Sequence, residues 1–151
     1  MKILLTGAAG NLGGQITAVF RTAGHEVVET DLAVLDITDT ESVAKAMADL
    51  RPDVVINAAA YNFVDKVEEQ ETYPVAYAIN ALGPKNLAEA CASHGIPFVH
   101  YSTDYVLAGD QPDGYTEDTP TGTPVNKYGE TKLAGEDFVL KSGADAYVCR
   151  L

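Results

Sequence analysis

No stretch of this sequence approaches the ~18 consecutive apolar residues that a helical bilayer span requires, so no membrane is expected as a partner. Basic residues are scarce. Ten Lys and Arg stand against 22 Asp and Glu, giving a formal net charge of −12 and a pI near 4.4. Such a surface repels a phosphate backbone, which argues against nucleic acid as a partner. Any anionic ligand must then be held by backbone dipoles or by a few placed cations. Cysteine is limited to Cys91 and Cys149, far apart and without metal-ligand spacing; read as reduced thiols, they predict a cytoplasmic protein. His25, His94 and His100 show neither triad nor metal spacing and receive no chemistry, so no metal is expected. The absence of any G-x-S-x-G string removes the nucleophile elbow of a hydrolase. The apolar start Ile3-Leu4-Leu5 runs into glycines rather than a cleavage site, so it reads as a buried strand and not a leader. Internal repeats and linkers are also lacking.

What remains is an ordinary globular composition, 46% apolar and 21% charged, over 151 residues, the length of one domain. Short apolar runs alternate with helical periods. Ile3-Leu4-Leu5, Val27-Val28, Val54-Val55-Ile56, Pro97-Phe98-Val99 and Tyr147-Val148-Cys149 predict strands, continuous rather than alternating, as when both faces of a parallel sheet are covered. Leu12, Ile16, Val19 and Phe20 share a helix face that Gly24 stops. Thr38 and Glu41 form a capping-box pattern, followed by Val43, Met47 and Leu50, and Pro52 should end that helix at Arg51. A longer helix is predicted from Pro74 to about Ser93, kinked at Gly83-Pro84, and a last one from near Asn126 to before Gly143. Leu107 to Val125 has three Gly, three Pro and several acids but no apolar period, and reads as a long surface loop.

Gly7-Ala8-Ala9-Gly10-Asn11-Leu12-Gly13 follows the first strand and opens the first helix. Gly7 permits the tight turn, Gly10 lets backbone N–H groups approach a pyrophosphate, and Gly13 lets the helix pack on the strand. With this context the alternation predicts an α/β fold, a doubly wound parallel sheet of the Rossmann type in three α/β/α layers, with residues 1–151 as a dinucleotide-binding domain. Asp31 stands 18 residues beyond Gly13 after the second strand, placed to accept the hydroxyls of an adenosine ribose. No cation follows it, which favours NADH over NADPH. Asp36 and Ile37 are candidates for the adenine, Asp36 for its amino group and Ile37 for its ring, although Asp36 also suits a local turn before Thr38. Asn57-Ala58-Ala59-Ala60-Tyr61 ends the third strand, where open α/β sheets bind ligands and small residues let a cofactor ribose come close; the alternative is that the alanines simply pack against a helix. Ser102-Thr103-Asp104-Tyr105 ends the fourth. Tyr128 and Lys132, at i and i+4, share a helix face, where an ammonium draws a phenol toward the range of a working proton donor. A hydroxyl from Ser102 or Thr103 would bind a substrate carbonyl oxygen.

These motifs resemble the extended short-chain dehydrogenases. Pro52 through Tyr61, Val64-Asp65-Lys66, Ser102 through Val106 and Tyr128 through Glu136 are similar, more closely, to the dTDP-4-dehydrorhamnose reductases of that superfamily. The resemblance covers Met1 to Leu151. It implies an NAD(P)H-dependent oxidoreductase that reduces the C4 ketone of a dTDP-4-dehydro-6-deoxy sugar, a nucleotide-sugar substrate of dTDP-rhamnose biosynthesis. It assigns catalysis to Thr103, Tyr128 and Lys132, and substrate contact to Thr103 and Asp104. Cofactor contacts fall on Gly10, Asn11, Leu12, Asp31, Asp36, Ile37, Ala60, Tyr61 and Asn62, beside Gly7 and with Tyr128 and Lys132. A homodimer is left open. Asn62-Phe63 stands where the family commonly has Thr-Ala, and Leu107 where it has Phe. Family members also continue into a carboxyl-terminal substrate domain, which is expected to be missing after Leu151. The alternatives are a non-catalytic NAD(P)-binding subunit, resembling the regulatory subunit of methionine adenosyltransferase, and a nucleotide-sugar epimerase or dehydratase; epimerases usually lack the Ser-Thr-Asp-Tyr sequence.

Overall fold

A computed structural model describes residues 1–151. Five parallel strands, β1 (Lys2–Thr6), β2 (Glu26–Thr30), β3 (Val54–Asn57), β4 (Phe98–Ser102) and β5 (Ala146–Arg150), form one sheet in the order β2-β1-β3-β4-β5. The order reverses between β1 and β3, which leaves a crevice beyond their carboxyl ends, the place where open α/β sheets bind ligands. The predicted apolar runs all lie in strands apart from Pro97, which stands just outside β4, and the doubly wound parallel sheet is as expected.

Helices α1 (Asn11–Thr22), α2 (Thr40–Leu50), α3 (Tyr73–Tyr77), α4 (Gly83–His94) and α5 (Lys127–Lys141) divide unequally between the faces. Leu4, Val55 and Phe98 point to the side where Val43 and Met47 of α2, Leu87 and Cys91 of α4, and Val139 of α5 close the larger core. Ile3, Leu5, Val27 and Ile56 point to the other side, against Ile16 of α1. That side is covered over β1 to β3 and thins out at β4 and β5, where Tyr101 is half-buried and Tyr147 is 57% exposed. No helix is long and apolar enough to cross a membrane.

Several local expectations are corrected. Val19 is 64% exposed, so the buried stripe of α1 is narrower than its apolar spacing, with Ile16 buried and Leu12 and Phe20 half-buried at its edges. Asp39, not Thr38, caps α2, accepting the Glu41 N–H at 2.9 Å. Thr38 is already engaged, with its N–H and hydroxyl both donating to one Asp36 oxygen at 2.9 and 2.7 Å. The α2 helix ends at Leu50 because Arg51, before Pro52, turns left-handed at φ 47°. The long helix is not one kinked rod. The segment Ala78–Leu82 between α3 and α4 is a turn of π-helix, the usual accommodation when the regular ladder is interrupted, and Pro84 has no N–H to offer it. The last helix starts and stops as predicted, with the Asn126 side chain accepting the Gly129 N–H at 2.8 Å. The segment from Leu107 to Asn126 contains no helix or strand.

Candidate functional site

The Gly7–Gly13 turn forms the floor of a cleft of about 530 Å³, within the size range of small-molecule sites. Gly7 has φ 71°, and a Cβ on it would stand 2.5 Å from the Ala59 nitrogen. Gly13 runs against the backbone of Gly7 and Ala8, where a Cβ would lie 2.7 Å from the Ala8 Cα. Gly10 differs. A Cβ there meets only the Gly7 carbonyl, at 3.3 Å, so its outer face is open. The first α1 bond runs from Gly14 N–H to the Gly10 carbonyl at 2.9 Å, leaving the N–H groups of Asn11, Leu12 and Gly13 without backbone acceptors. Free N–H groups at a helix start, with no side chain over the turn, suit a phosphate or pyrophosphate. On this observation the residues present fit a dinucleotide.

The remaining walls collect most of the predicted cofactor residues. Asp31, Asp36 and Ile37 line one side, Ala60 and Asn62 the other, and Asn11 and Leu12 the turn. One Asp31 oxygen accepts the Ala9 N–H at 2.9 Å, so this carboxylate also ties the glycine turn to β2 while its other oxygen stays available. Asp36 likewise keeps one oxygen free while the other accepts from the Thr38 turn, the local role expected of it. Tyr61 does not line the cleft. Its ring packs toward Val67 and Tyr128, and Asn80 holds its backbone, accepting the Tyr61 N–H at 2.8 Å and donating to its carbonyl at 3.0 Å.

The second cluster lies beyond the end of β4. Thr103 accepts the Tyr105 N–H at 3.3 Å and donates to Asp104 at 3.2 Å, opening a short 3₁₀ turn over Asp104–Val106. Helix α5 comes close to this turn because Gly129 has no side chain: a Cβ there would overlap the Tyr105 carbonyl. Six residues on, Gly135 makes the same close approach to the Asn80 carbonyl in the π turn. These two glycines seat α5 and bring Tyr128 to Thr103. Burial pushes the Tyr128 phenol up, the Thr103 hydroxyl beside it opposes that, and Asp104 and Tyr105 add to the rise. The expected lowering by Lys132 is absent. The Lys132 ammonium, 2% exposed, donates instead to the Tyr101 carbonyl at 2.7 Å. Burial pulls its own pKa from 10.5 down to about 8, against the opposing pull of Glu136. Glu136, buried in turn, is held by a two-pronged contact from Arg150, with Nη2 at 2.8 Å and Nε at 3.1 Å.

Sequence reasoning assigned no role of their own to Asn57, Asn80, His100, Gly129 or Gly135. Asn57, Asn80 and His100 are fully buried polar side chains whose partners lie across the fold, and no local period announces them. Gly129 and Gly135, six residues apart on α5, are the one trace a reader of the sequence had of its close packing.

The family model described as the RmlD substrate binding domain matches residues 1–151. A dTDP-4-dehydrorhamnose reductase of Mycolicibacterium smegmatis is 46% identical over 99% of this chain, which spans 44% of that protein. The crystal structure of a dTDP-4-dehydrorhamnose reductase from Clostridium acetobutylicum superposes with a TM-score of 0.93 at 46% identity, over 99% of this chain and 52% of the other. That of the Bacillus anthracis dTDP-4-dehydrorhamnose reductase in complex with NADP gives 0.92 at 37% identity, with coverage of 99% and 52%. The chain thus spans about half the length of the relatives it matches. From Met1 to Leu151, the chain belongs to the RmlD substrate binding domain family.

Proposed function

We propose that this chain is the dinucleotide-binding half of an NAD(P)H-dependent reductase that acts on the C4 ketone of dTDP-4-dehydro-6-deoxy-L-mannose. The observation that carries the reading is the placement of a phosphate-accepting glycine turn and a buried phenol–hydroxyl pair at the same end of one sheet. When bound, a nicotinamide cofactor would supply the hydride that the ketone carbon takes up. Gly10, Asn11 and Leu12 offer their backbone to its phosphates, and Asp31 offers its free oxygen to a ribose. Thr103 donates a hydrogen bond to the ketone oxygen, and Tyr128 donates the proton that the new alcohol needs. A phenol raised by burial stays protonated at neutral pH, the form a proton donor requires. Lys132 serves the nicotinamide ribose and the phenol by turning away from the Tyr101 carbonyl. Asp104 contacts the sugar. The extra length of the relatives is the natural source of the remaining nucleotide-sugar contacts, and the free thiols of Cys91 and Cys149 keep the reading cytoplasmic.

Two measurements test this. In the first, calorimetric titration of the chain with NADH and NADPH gives tighter binding of NADH by a modest factor, since no cation follows Asp31 to meet a 2′-phosphate. Asp31→Ala removes that preference. It also weakens both cofactors, because the Ala9 N–H loses its acceptor. A wild type that prefers NADPH, with the preference unchanged by the substitution, overturns the ribose assignment. The second uses a chimera in which this chain is continued by the carboxyl-terminal half of the Mycolicibacterium smegmatis relative. There Tyr128→Phe lowers kcat for NADPH oxidation by ~10² or more and leaves cofactor affinity nearly unchanged. A near-normal kcat places the proton donor elsewhere.

A further inference from the structure

Thr6, Asn57 and His100 stand side by side, in register, near the carboxyl ends of β1, β3 and β4. All three are sealed from solvent. Their hydrogen bonds have only one consistent polarity. The Ala59 N–H can only donate, and it meets one Asn57 side-chain atom at 3.1 Å, so that atom is the carbonyl oxygen. The Thr6 hydroxyl donates to the same oxygen at 2.6 Å. The Asn57 amide nitrogen therefore faces His100 Nδ1, 3.0 Å away, and Nδ1 must accept. The His100 proton is thereby confined to Nε2, which has no acceptor in the chain. A charged ring is opposed first by burial and then by the Lys132 ammonium. Phe98 stacks nearly parallel to the ring, at 6.2 Å and 11°.

The other end of this chain of bonds is the wall of the cleft. Ala59 lines it, and the glycine turn approaches so closely that a Cβ on Gly7 would lie 2.5 Å from the Ala59 nitrogen. Where the Ala59 amide sits therefore limits where the turn can sit. We propose that His100, fixed as the neutral Nε2–H tautomer, is a positioning residue for dinucleotide binding: it orients the Asn57 carboxamide, which holds the Ala59 amide and through it the Gly7 turn. Without this acceptor the Asn57 amide nitrogen is left buried and unpaired, and the carboxamide loses the contact that presses its oxygen against the Ala59 N–H. The inference rests on the dinucleotide reading of the cleft.

NMR of the wild-type chain with ¹⁵N-labelled histidine reads the tautomer directly. The expected signature is a bare Nδ1 and a protonated Nε2 at neutral pH. An Nδ1–H tautomer or a charged ring overturns the proposal whatever the cofactor does. Titration with NADPH, well below each melting temperature, then compares wild type, His100→Phe and His100→Asn. Phenylalanine keeps the ring and the stack on Phe98 but offers no acceptor, while asparagine places a carbonyl oxygen near the position of Nδ1. The expected result is a Kd raised about tenfold or more in His100→Phe and within about threefold of wild type in His100→Asn, although both melt lower. A residue that only filled space would move the melting temperatures without this split. Equal affinity in His100→Phe and wild type overturns the proposal. Should His100→Phe not fold, a tenfold loss in His100→Asn does so too. A wild type that binds no dinucleotide fails the reading of the cleft instead, and the tautomer result separates the two.

Discussion

Replacing Lys132 by methionine raises the melting temperature of the chain at neutral pH and removes turnover from the chimeric reductase. The two effects have one cause. Lys132 is an ammonium sealed under α5, with its pKa drawn down from 10.5 to about 8 by burial. A lysine depressed in the folded state binds fewer protons there than in the unfolded chain between those two values, so wild-type stability rises with pH across that window. Below pH 8 the full penalty is present; above 10.5 it is gone. The shift corresponds to a cost on the order of 3 kcal/mol at neutral pH. Methionine follows the path of the lysine stem and carries no charge, but it leaves the Tyr101 carbonyl without its donor, which costs about 1 kcal/mol. The net gain is about 2 kcal/mol, or several degrees in a chain of this size. Thermal melts of both proteins at pH 7 and pH 10 are the check, since the advantage of the variant must shrink at the higher pH. A difference that ignores pH means that the ammonium is not the source of the cost. The lost turnover follows from removing the group assigned to the nicotinamide ribose, so this position sets stability against function.

Gly13→Ala has the opposite character, damaging fold and ligand together. Its Cβ would overlap the Gly7 carbonyl and lie 2.7 Å from the Ala8 Cα, and both are backbone with no rotamer to yield. Relief requires the start of α1 to lift off the turn, which carries away the free N–H groups of Asn11 and Leu12. We expect a stability loss of about 3 kcal/mol and a fall in dinucleotide affinity of ~10² or more. Gly14→Ala is the internal control. Its Cβ meets nothing within 4 Å, and alanine is the better helix former, so it stabilises by up to about 1 kcal/mol and leaves binding intact. Urea melts and calorimetry on the two variants separate crowding from a general intolerance of α1. Equal behaviour of the two would remove the packing argument for the third glycine of the turn.

The sheet was legible because burial on two faces writes itself locally, as uninterrupted Val, Ile and Leu. Residues 7–13 were legible for a similar reason, since a turn, an open face and a close helix approach each demand glycine within one short segment. What escaped is set by partners distant in sequence. Asn57 reaches Thr6 on one side and His100 on the other, and Asn80 reaches Tyr61 and Thr131. The i, i+4 spacing placed Tyr128 and Lys132 on one helix face correctly, but spacing carries no information on where a long flexible stem ends. Lys132 ends at the Tyr101 carbonyl. The Thr38 cap failed by one residue because Asp36 already holds both the N–H and the hydroxyl of Thr38, which leaves Asp39 to take the Glu41 N–H.

The strand order also sets how the chain must assemble in time. β1 precedes both β2 and β3 in the sequence yet lies between them, so Ile3 pairs with Val27 on one side and with Val54 on the other. Each ladder in the sheet is parallel, and no hairpin offers a quick local start. Every pairing waits for a crossover to be made and closed, the route that gives slow folding in proteins rich in non-local contacts. During synthesis Ile3-Leu4-Leu5 is made before either neighbour and stays without its second until β3 has followed it out of the ribosome. The hazard in making this protein is therefore one of waiting: a strand at the middle of the sheet is made before both of its neighbours, and folding aids that shelter it in the nascent chain should raise the yield more than any added stability in the finished fold.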